Sequence, residues 1–327
     1  MAQPQAVSAA TLAIPAGGAA RAERSLWKDA WRQLTANRLA LGGLIVIALF
    51  FFAALFGPLL APYDFLEQNI KEALQPPSAA HWFGTDANGR DIFSRILYGA
   101  RSAALVAIAT TAISLLIGVF IGMAAGLFGG RTESWLMWMT DITMSIPVIL
   151  LAMLINTALK YRATDYFDAM YTRTKNPFFL NTWWLDFLLV FVAIALISWP
   201  GYARLIRGQV KTTGKSLYVE AARSIGASDR RIMTHHLAPN SLGPVIVAVT
   251  QGMGGAVLLE SSLSFLGIGI QPPNASWGSM LSDSLSLWRS VPHLMVGPAL
   301  TIAVIQIAFI FLGDGLNDAL NPRQRRV

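Results

Sequence analysis

Six long runs of apolar residues leave this chain few folds to adopt. Each run is close to the roughly 20 residues that a helix needs to cross about 30 Å of hydrocarbon. Lipid offers the backbone no hydrogen-bond partners, so only helices or closed β-barrels span it. Barrel strands alternate over about 10 residues, and these runs do not. The sequence therefore predicts an all-α, polytopic membrane protein. The predicted transmembrane helices lie at about 40–61, 102–128, 135–158, 187–206, 241–266 and 296–316.

The composition fits a membrane protein. Of the 327 residues, 54% are hydrophobic and 13% are charged, whereas soluble domains carry about 25% charged residues. The absence of cysteine excludes disulfides and thiolate metal ligands. A net charge of +7 is explained by basic cytoplasmic loops, which membrane proteins favour. We therefore expect membrane lipid as a partner and no nucleic acid.

The segments outside the spans are more polar. Residues 25–39 are predicted to form an interfacial amphipathic helix, with an apolar face made of Leu26, Trp27, Ala30, Trp31 and Leu34. Most of the 25 Lys and Arg residues lie on the side of the two termini, which predicts that both termini are cytoplasmic. The predicted organisation is a disordered cytoplasmic tail (1–24), the interfacial helix (25–39), the first transmembrane helix (40–61), an extracytoplasmic loop (62–101), a core with five transmembrane helices (102–316) and a cytoplasmic tail (317–327).

A basic segment at 207–240 joins the fourth and fifth spans. Leu217 to Ile225 has the pattern of a short helix, and Gly226 ends it because glycine accepts backbone angles that other residues resist. Ser228 is suited to cap a second helix, and Pro239 is expected to limit that helix before the fifth span. Two short helices on one side of the bilayer form a docking surface; an ordinary solvated loop is the alternative.

Four segments resemble the permeases of ABC importers for dipeptides, oligopeptides and nickel, specifically the second permease of the pair. The first starts at Phe83-Gly84-Thr85-Asp86 and continues to Ser102. The second, Glu220-Ala221-Ala222-Arg223-Ser224-Ile225-Gly226-Ala227 with Leu237-Ala238-Pro239, resembles the EAA loop of that family. The last two lie at 260–278, starting Glu260-Ser261-Ser262, and at 313–323, starting Gly313-Asp314-Gly315. Four ordered matches are more specific than the EAA loop alone.

This resemblance implies a type I ABC importer permease fold in a bacterial or archaeal plasma membrane. The chain would form a heterodimer with a second permease subunit. One or two ATPase subunits would bind on the cytoplasmic side, and a substrate-binding protein on the other. The chain itself would hold no cofactor, because ATP and Mg²⁺ bind to the ATPases. Nucleotide would draw the ATPases together and move the EAA loops as rigid levers, which switches the cavity from inward- to outward-facing.

The resemblance also assigns roles within the EAA loop. Glu220 and Gly226 would anchor the loop in a cleft on the ATPase, and small residues would allow close approach. Three arginines would pair with acidic groups there. The implied coupling residues are Glu220, Ala221, Ala222, Arg223, Gly226, Arg230, Arg231 and Pro239.

The sequence has no motif typical of a catalytic, nucleotide-binding or metal-binding site. Gly214-Lys215-Ser216 looks like the end of a phosphate-binding loop, but that motif needs glycine at the position of Gln209 and a preceding strand. His235 and His236 are adjacent and point in different directions on a helix, so they do not form a metal site. We expect a non-catalytic transport subunit with no catalytic residue and no metal.

Charged residues near the membrane are candidates for the transport path. Asp86, Arg90, Asp91 and Arg95 have spacings that allow ion pairs, either at a lip that contacts a binding protein or in a self-paired structural loop. Asp141 and Glu260 fall within predicted spans, where ionisable residues are functional candidates. Asp141 has the alternative of a cap or anchor at the cytoplasmic end of its helix, and Glu260 of packing. The polar, aromatic segment 159–186 is an extracytoplasmic insertion, either a docking element or a cover.

Di- or oligopeptides are the substrates that the resemblance favours, with nickel complexes and glutathione as alternatives. Two other classes of function stay open. A channel or secondary transporter would use Asp141 and Glu260 as proton relays but would have inverted repeats, which are not evident. A membrane-embedded hydrolase would need a metal motif or an activated nucleophile, and neither is evident.

Overall fold

The computed structural model describes residues 26–180 and 183–320. Predictions for residues 1–25 and 321–327 lie outside the described residues. The all-α prediction is confirmed, since the described residues form helices and no strand beyond a single β-bridge between Thr85 and Asp91. In chain order the α-helices are α1 (Leu26–Ala36), α2 (Arg38–Leu60), α3 (Ile92–Phe128), α4 (Gly130–Ser145), α5 (Val148–Thr174), α6 (Trp183–Gly214), α7 (Leu217–Ser224), α8 (Asp229–Ile232), α9 (Ala238–Phe265), α10 (Trp277–Ser284) and α11 (His293–Leu320).

Three shorter elements complete the description. Two 3₁₀ turns span Ile70–Glu72 and Pro177–Phe179, and a π-turn at Met233–Leu237 joins α8 to α9. Within the described residues, five helices are long and apolar enough to cross a membrane, or six if α4 and α5 count as one bent span. The five are α2, α3, α6, α9 with its π-turn, and α11.

The third span is broken in the middle. The sequence predicts one helix at 135–158, but α4 and α5 meet at an angle of 93°. Ile146 has an extended backbone because the ring of Pro147 disfavours the helical conformation in the preceding residue. α5 continues to Thr174, so much of the predicted insertion at 159–186 is helical.

Several helices extend beyond the predicted spans. α3 begins at Ile92, well before the predicted boundary at 102, because the Asp91 carboxylate accepts a hydrogen bond from the Ser94 amide at 2.7 Å and caps the helix. α6 continues through Pro200 to Gly214, and α11 continues to Leu320. Hydropathy marks the part of a helix that lipid surrounds, whereas caps and turns set its ends.

α1 is shorter than its predicted range of 25–39. It ends at Ala36, and the Asn37 side chain then caps α2 by accepting from the Leu39 and Ala40 amides. Ala30 and Leu34 are buried, but Trp31 of the predicted apolar face is 59% exposed. α1 packs on α11, and its interfacial location stays a prediction.

The prediction that Pro239 limits the helix after Ser228 is wrong. Helical structure runs from Asp229 through the π-turn and into α9 without a stop. Pro239 lies where the π-turn passes into α9, and a proline inside a helix commonly accompanies a local irregularity of this kind rather than a stop. The second short helix is therefore continuous with a membrane span.

Close contact between α3 and α6 organises the bundle. A Cβ atom on Gly122 would lie 2.5 Å from the Ala203 carbonyl oxygen, and one on Gly118 would lie 2.4 Å from the Tyr202 Cβ. Small residues allow backbones to approach in lipid, where packing replaces the hydrophobic driving force. The α3–α6 interface thus depends on glycine at both positions.

Gly122→Ala is expected to destabilise the protein by about 1–3 kcal/mol, because the new methyl group meets backbone rather than a flexible side chain. The measurement is the thermal unfolding midpoint in detergent. Gly208→Ala is the matched control on α6, since its Cβ would meet nothing within 4 Å. A Gly122→Ala midpoint equal to that of Gly208→Ala would contradict the assigned contact.

Candidate functional site

A short exposed helix lies on the side of the bundle where α6 ends. α7 follows α6 after two residues and is amphipathic: Val219 is buried, whereas Leu217 and Ile225 are 84% and 87% exposed. Exposed apolar side chains at the rim of a polar segment are typical of a surface that another protein covers. α7 is therefore the first part of the candidate docking surface.

Gly226 ends α7 in the manner that the sequence predicts. The Gly226 amide donates to the Arg223 carbonyl at 2.9 Å, and the Ala227 amide donates to the Ala222 carbonyl at 3.0 Å. This pair of bonds is a Schellman motif, which requires a left-handed residue after the helix. Gly226 supplies it with φ of +84°. The Ser228 hydroxyl then accepts from the Arg231 amide at 3.4 Å, as a cap on α8.

A buried apolar cluster fixes this surface to the membrane spans. Val219 of α7, Ile232 of α8 and Leu237 of the π-turn pack with Ile206 and Val210 of α6. Partly buried side chains of α3 and α9 complete the cluster, namely Val119, Met123, Leu127 and Val245. Because the cluster includes side chains of three long helices, it ties α7 and α8 to the bundle. We call α7, α8 and this cluster the coupling unit.

The structure separates the predicted coupling residues by exposure. Ala222 is buried, so it packs α7 on the chain itself and is not accessible to a partner. The side chain of Arg230 lies outside the described residues. The exposed members are Glu220, Ala221, Arg223, Gly226, Arg231 and Pro239.

A polar cavity lies within the bundle. It has a volume of about 420 Å³ and is bounded by α3, the α4–α5 break, α6 and α9. Among the described residues that line it, none is charged. The sequence could have predicted this cavity, because the otherwise apolar helix α3 has hydroxyl side chains at positions 110, 111 and 114. The polar lining consists of Thr110, Thr111, Ser114, Thr143, Ser198, Tyr202 and Gln251.

Glu260 does not line this cavity in the structure. It is 1% exposed, and its carboxylate accepts hydrogen bonds from the hydroxyls of Ser264 and Ser276, both at 2.7 Å, and of Ser261 at 3.3 Å. The Ser264 hydroxyl in turn accepts from the Ile270 amide at 3.0 Å. Glu260 therefore anchors the segment that follows α9 to the helix itself.

Asp141 is placed differently from Glu260. Its carboxylate contacts Arg204 of α6 at 2.5 Å, and the two side chains are 62% and 44% exposed. Nearer the start of α4, Glu133 accepts hydrogen bonds from Arg207 and Lys211, which sequence reasoning did not identify. Ion pairs thus link α4 to the part of α6 that leads into the coupling unit.

The four charged residues around the start of α3 are mostly buried and fall into two separate groups. The Asp86 carboxylate accepts from Arg90 Nε and from Arg95 Nη1, both at 2.6 Å. Asp91 pairs with His81 at 2.9 Å rather than with an arginine. The Trp277 indole donates to the Ile96 carbonyl at 3.0 Å and packs against this region of α3. Most of the charge at the predicted lip is therefore satisfied within the chain.

Comparison with known proteins identifies this arrangement. Residues 118–326 match the family model described as binding-protein-dependent transport system inner membrane component. Residues 25–77 match the N-terminal TM domain of oligopeptide transport permease C. The helical bundle with its internal cavity is that of a membrane permease. The chain belongs to the family of binding-protein-dependent transport system inner membrane components.

Three relatives match over nearly their whole length. The dipeptide transport system permease protein DppC of Alkalihalophilus pseudofirmus is 38% identical, with 92% of this chain and 91% of the relative covered. The oligopeptide transport system permease protein OppC of Bacillus subtilis is 36% identical over the same shares. The glutathione transport system permease protein GsiD of Pectobacterium atrosepticum is 33% identical, with 92% of each covered. A crystal structure of an amino acid ABC transporter with histidines shows a TM-score of 0.44 at 18% identity, covering 71% of this chain and 94% of that one.

Glu260→Ala is expected to lower the thermal unfolding midpoint strongly. It removes the acceptor of three buried or partly buried serine hydroxyls, and each orphaned polar group costs about 1–3 kcal/mol. The matched control is Glu220→Ala, which truncates an exposed carboxylate and should leave the midpoint unchanged. Equal midpoints for the two variants would contradict the anchoring role of Glu260.

Proposed function

We propose that this chain is the transmembrane permease subunit of an ATP-driven ABC importer for di- or oligopeptides. It forms half of the translocation pathway, and a second permease subunit forms the other half. One or two ATPase subunits, which hold ATP and Mg²⁺, drive it from the cytoplasm. An extracytoplasmic binding protein delivers the solute.

The coupling unit carries this proposal. An exposed helix that is fixed through buried side chains to α3, α6 and α9 transmits force applied at the membrane surface to the bundle. The basic side chains of Arg223 and Arg231 suit an acidic partner, since both are exposed. The side holding α7 is the cytoplasmic side by the distribution of Lys and Arg residues. An ATPase bound there acts on a lever and not on a flexible loop.

The central cavity supports a role as a pathway. Its hydroxyl and amide groups can form hydrogen bonds with the peptide groups of a solute. Because the described lining has no charged side chain, it does not bind the charged termini of a peptide tightly. A site that binds weakly releases what enters it, which suits conduction better than storage. The binding protein then provides selectivity.

Peptides are the substrate class that the relatives favour. The DppC and OppC relatives, at 38% and 36% identity, are named for dipeptide and oligopeptide transport, and GsiD at 33% is named for glutathione, which is itself a small peptide. The nickel alternative lacks support from the cavity, because its described lining offers no carboxylate, imidazole or thiolate ligand. The ATP-independent alternative assigned proton relays to Asp141 and Glu260. Neither carboxylate lines the cavity, which favours the ATP-driven importer.

Glu220→Lys and Gly226→Val are expected to abolish ATPase association and transport while the protein still inserts in the membrane. The first reverses a charge on the exposed face of α7. The second forces a β-branched residue to φ of +84°, at a cost of roughly 1–2 kcal/mol or more. The measurement is the amount of ATPase that co-purifies with the tagged permease. Gly214→Ala is the control, since a Cβ there meets nothing within 4 Å; wild-type ATPase recovery with both variants would contradict the coupling role.

Reconstitution of the complete importer tests the function as a whole. The two permeases, the ATPases and the binding protein are placed in vesicles, and ATP turnover is measured with dipeptide, oligopeptide, glutathione or nickel complex. Stimulation by a peptide supports the proposal. Solute flux by this chain alone without nucleotide would overturn it in favour of a channel or secondary transporter.

A further inference from the structure

Gln251 has the only carboxamide among the described residues that line the cavity. It lies on the face of α9 that borders this space, where the spacing of the lining residues is that of one helix face. The rest of this face is small or apolar and consists of Ala248, Gly252, Gly255, Ala256 and Leu259. Because glycine and alanine next to Gln251 add little bulk and the side chain is exposed, its amide is accessible from the cavity.

Asp314 of α11 fixes the orientation of this amide. Gln251 Nε2 donates a hydrogen bond to Asp314 Oδ1 at 3.3 Å. A carboxylate accepts hydrogen bonds and has no hydrogen to donate, so the nitrogen of the amide, and not its oxygen, faces Asp314. Within the described residues, the Gln251 carbonyl oxygen has no hydrogen-bond partner. That oxygen is therefore an available acceptor on a side chain that lines the cavity.

A glycine on α11 makes the contact possible. A Cβ atom on Gly313 would lie 2.6 Å from the Gln251 Cγ and 3.2 Å from its Nε2. The Gln251 side chain thus passes over the bare backbone of Gly313 to reach Asp314. About one turn away, a Cβ atom on Gly254 would lie 2.8 Å from the Phe309 Cβ. Close packing of α9 on α11 therefore holds the pair in register.

Two hydroxyls of the cavity wall also act as acceptors toward the cavity. Thr110 Oγ1 donates to the Val106 carbonyl at 2.6 Å, and Thr143 Oγ1 donates to the Met139 carbonyl at 3.0 Å. Each hydroxyl has a single hydrogen, which the backbone already uses, so its lone pairs are what the cavity receives. A solute that carries hydrogen-bond donors matches such a wall better than a solute without them.

We propose that Gln251 is a specificity-determining residue of the pathway, which accepts hydrogen bonds from the backbone N–H groups of the solute, and that Asp314 is its positioning residue. This inference rests on the proposed function, which makes the cavity a path for peptides. The charge of Asp314 polarises the amide through their shared hydrogen bond, and polarisation strengthens the acceptor at the other end of the amide. The Gln251 oxygen thereby favours solutes with peptide N–H groups over solutes of similar size that lack them.

Peptide uptake by the complete importer in vesicles tests the assignment. Two tripeptides are compared at saturating binding protein, namely trialanine and Ala-Pro-Pro, whose prolines have no backbone N–H. The measurement is the ratio of the two uptake rates. Selectivity of the binding protein is the same in every sample, so it cancels when a variant is compared with the wild type. Gln251→Leu is expected to lower the ratio roughly 2- to 10-fold, which corresponds to the loss of one hydrogen bond.

Variants of Asp314 test its role as a positioning residue. Asp314→Leu should lower the ratio as much as Gln251→Leu, and the double variant should lower it no further, because Asp314 acts through Gln251. Asp314→Asn retains an oxygen that can accept from Nε2 and should keep most of the ratio. Asp318→Leu, one turn further along α11, is the matched control and should leave the ratio unchanged.

The outcomes separate the inference from the function on which it rests. If Gln251→Leu leaves the ratio unchanged, whether or not both uptake rates fall, the residue does not recognise N–H groups and the inference is wrong. A wild-type ratio in Asp314→Leu would overturn the positioning role. A wild-type importer that takes up neither peptide would overturn the proposed function itself.

Discussion

The close approach of α3 and α6 supports both functional regions of this permease. Glycines at 118 and 122 let the α6 backbone reach α3, and the same two helices then diverge in role along their length. Toward one end they supply Ile206, Val210 and Met123 to the coupling unit. Nearer the middle of the membrane they supply Thr110, Ser114 and Ser198 to the cavity wall. One helix pair therefore contributes to both the coupling unit and the cavity wall.

The third span has the opposite character. α4 and α5 are mostly exposed and bend by 93° at the cavity, and ion pairs connect α4 to α6 through Glu133 and Asp141. The cavity is therefore bounded by a closely packed helix pair on one side and by a broken, ion-paired helix on the other. The break lies at Ile146–Pro147, where a single proline prevents a straight helix.

The ionisable residues in or near the spans have three different fates. Glu260 is fully enclosed and bonded to serine hydroxyls, so it acts as an anchor for the segment after α9. Asp86 is enclosed by two arginines and stabilises the start of α3. Asp141 is ion-paired yet exposed, and a partner or water must complete its surroundings. The cost of an unsatisfied charge in lipid explains why each has a specific partner, but it does not say which of the three fates applies.

Local sequence was sufficient to predict the helical class, most of the spans and the end of α7 at Gly226. Hydrocarbon thickness sets the length of an apolar run, and a left-handed backbone position requires glycine, so both constraints act on short stretches of chain. The family resemblance placed the chain among importer permeases, and the family match agrees with it. Contacts between distant residues decided the rest. The packing of helices that are far apart in sequence decides three points. It decides whether Glu260 meets Ser276 or a cavity, and whether Ala222 faces a partner or the chain's own core. It also decides whether hydroxyls of α3 and α6 enclose a common space. Hydropathy indicates whether a helix lies in lipid but not which face it turns toward its neighbours, so the cavity is visible only once the helices are packed together.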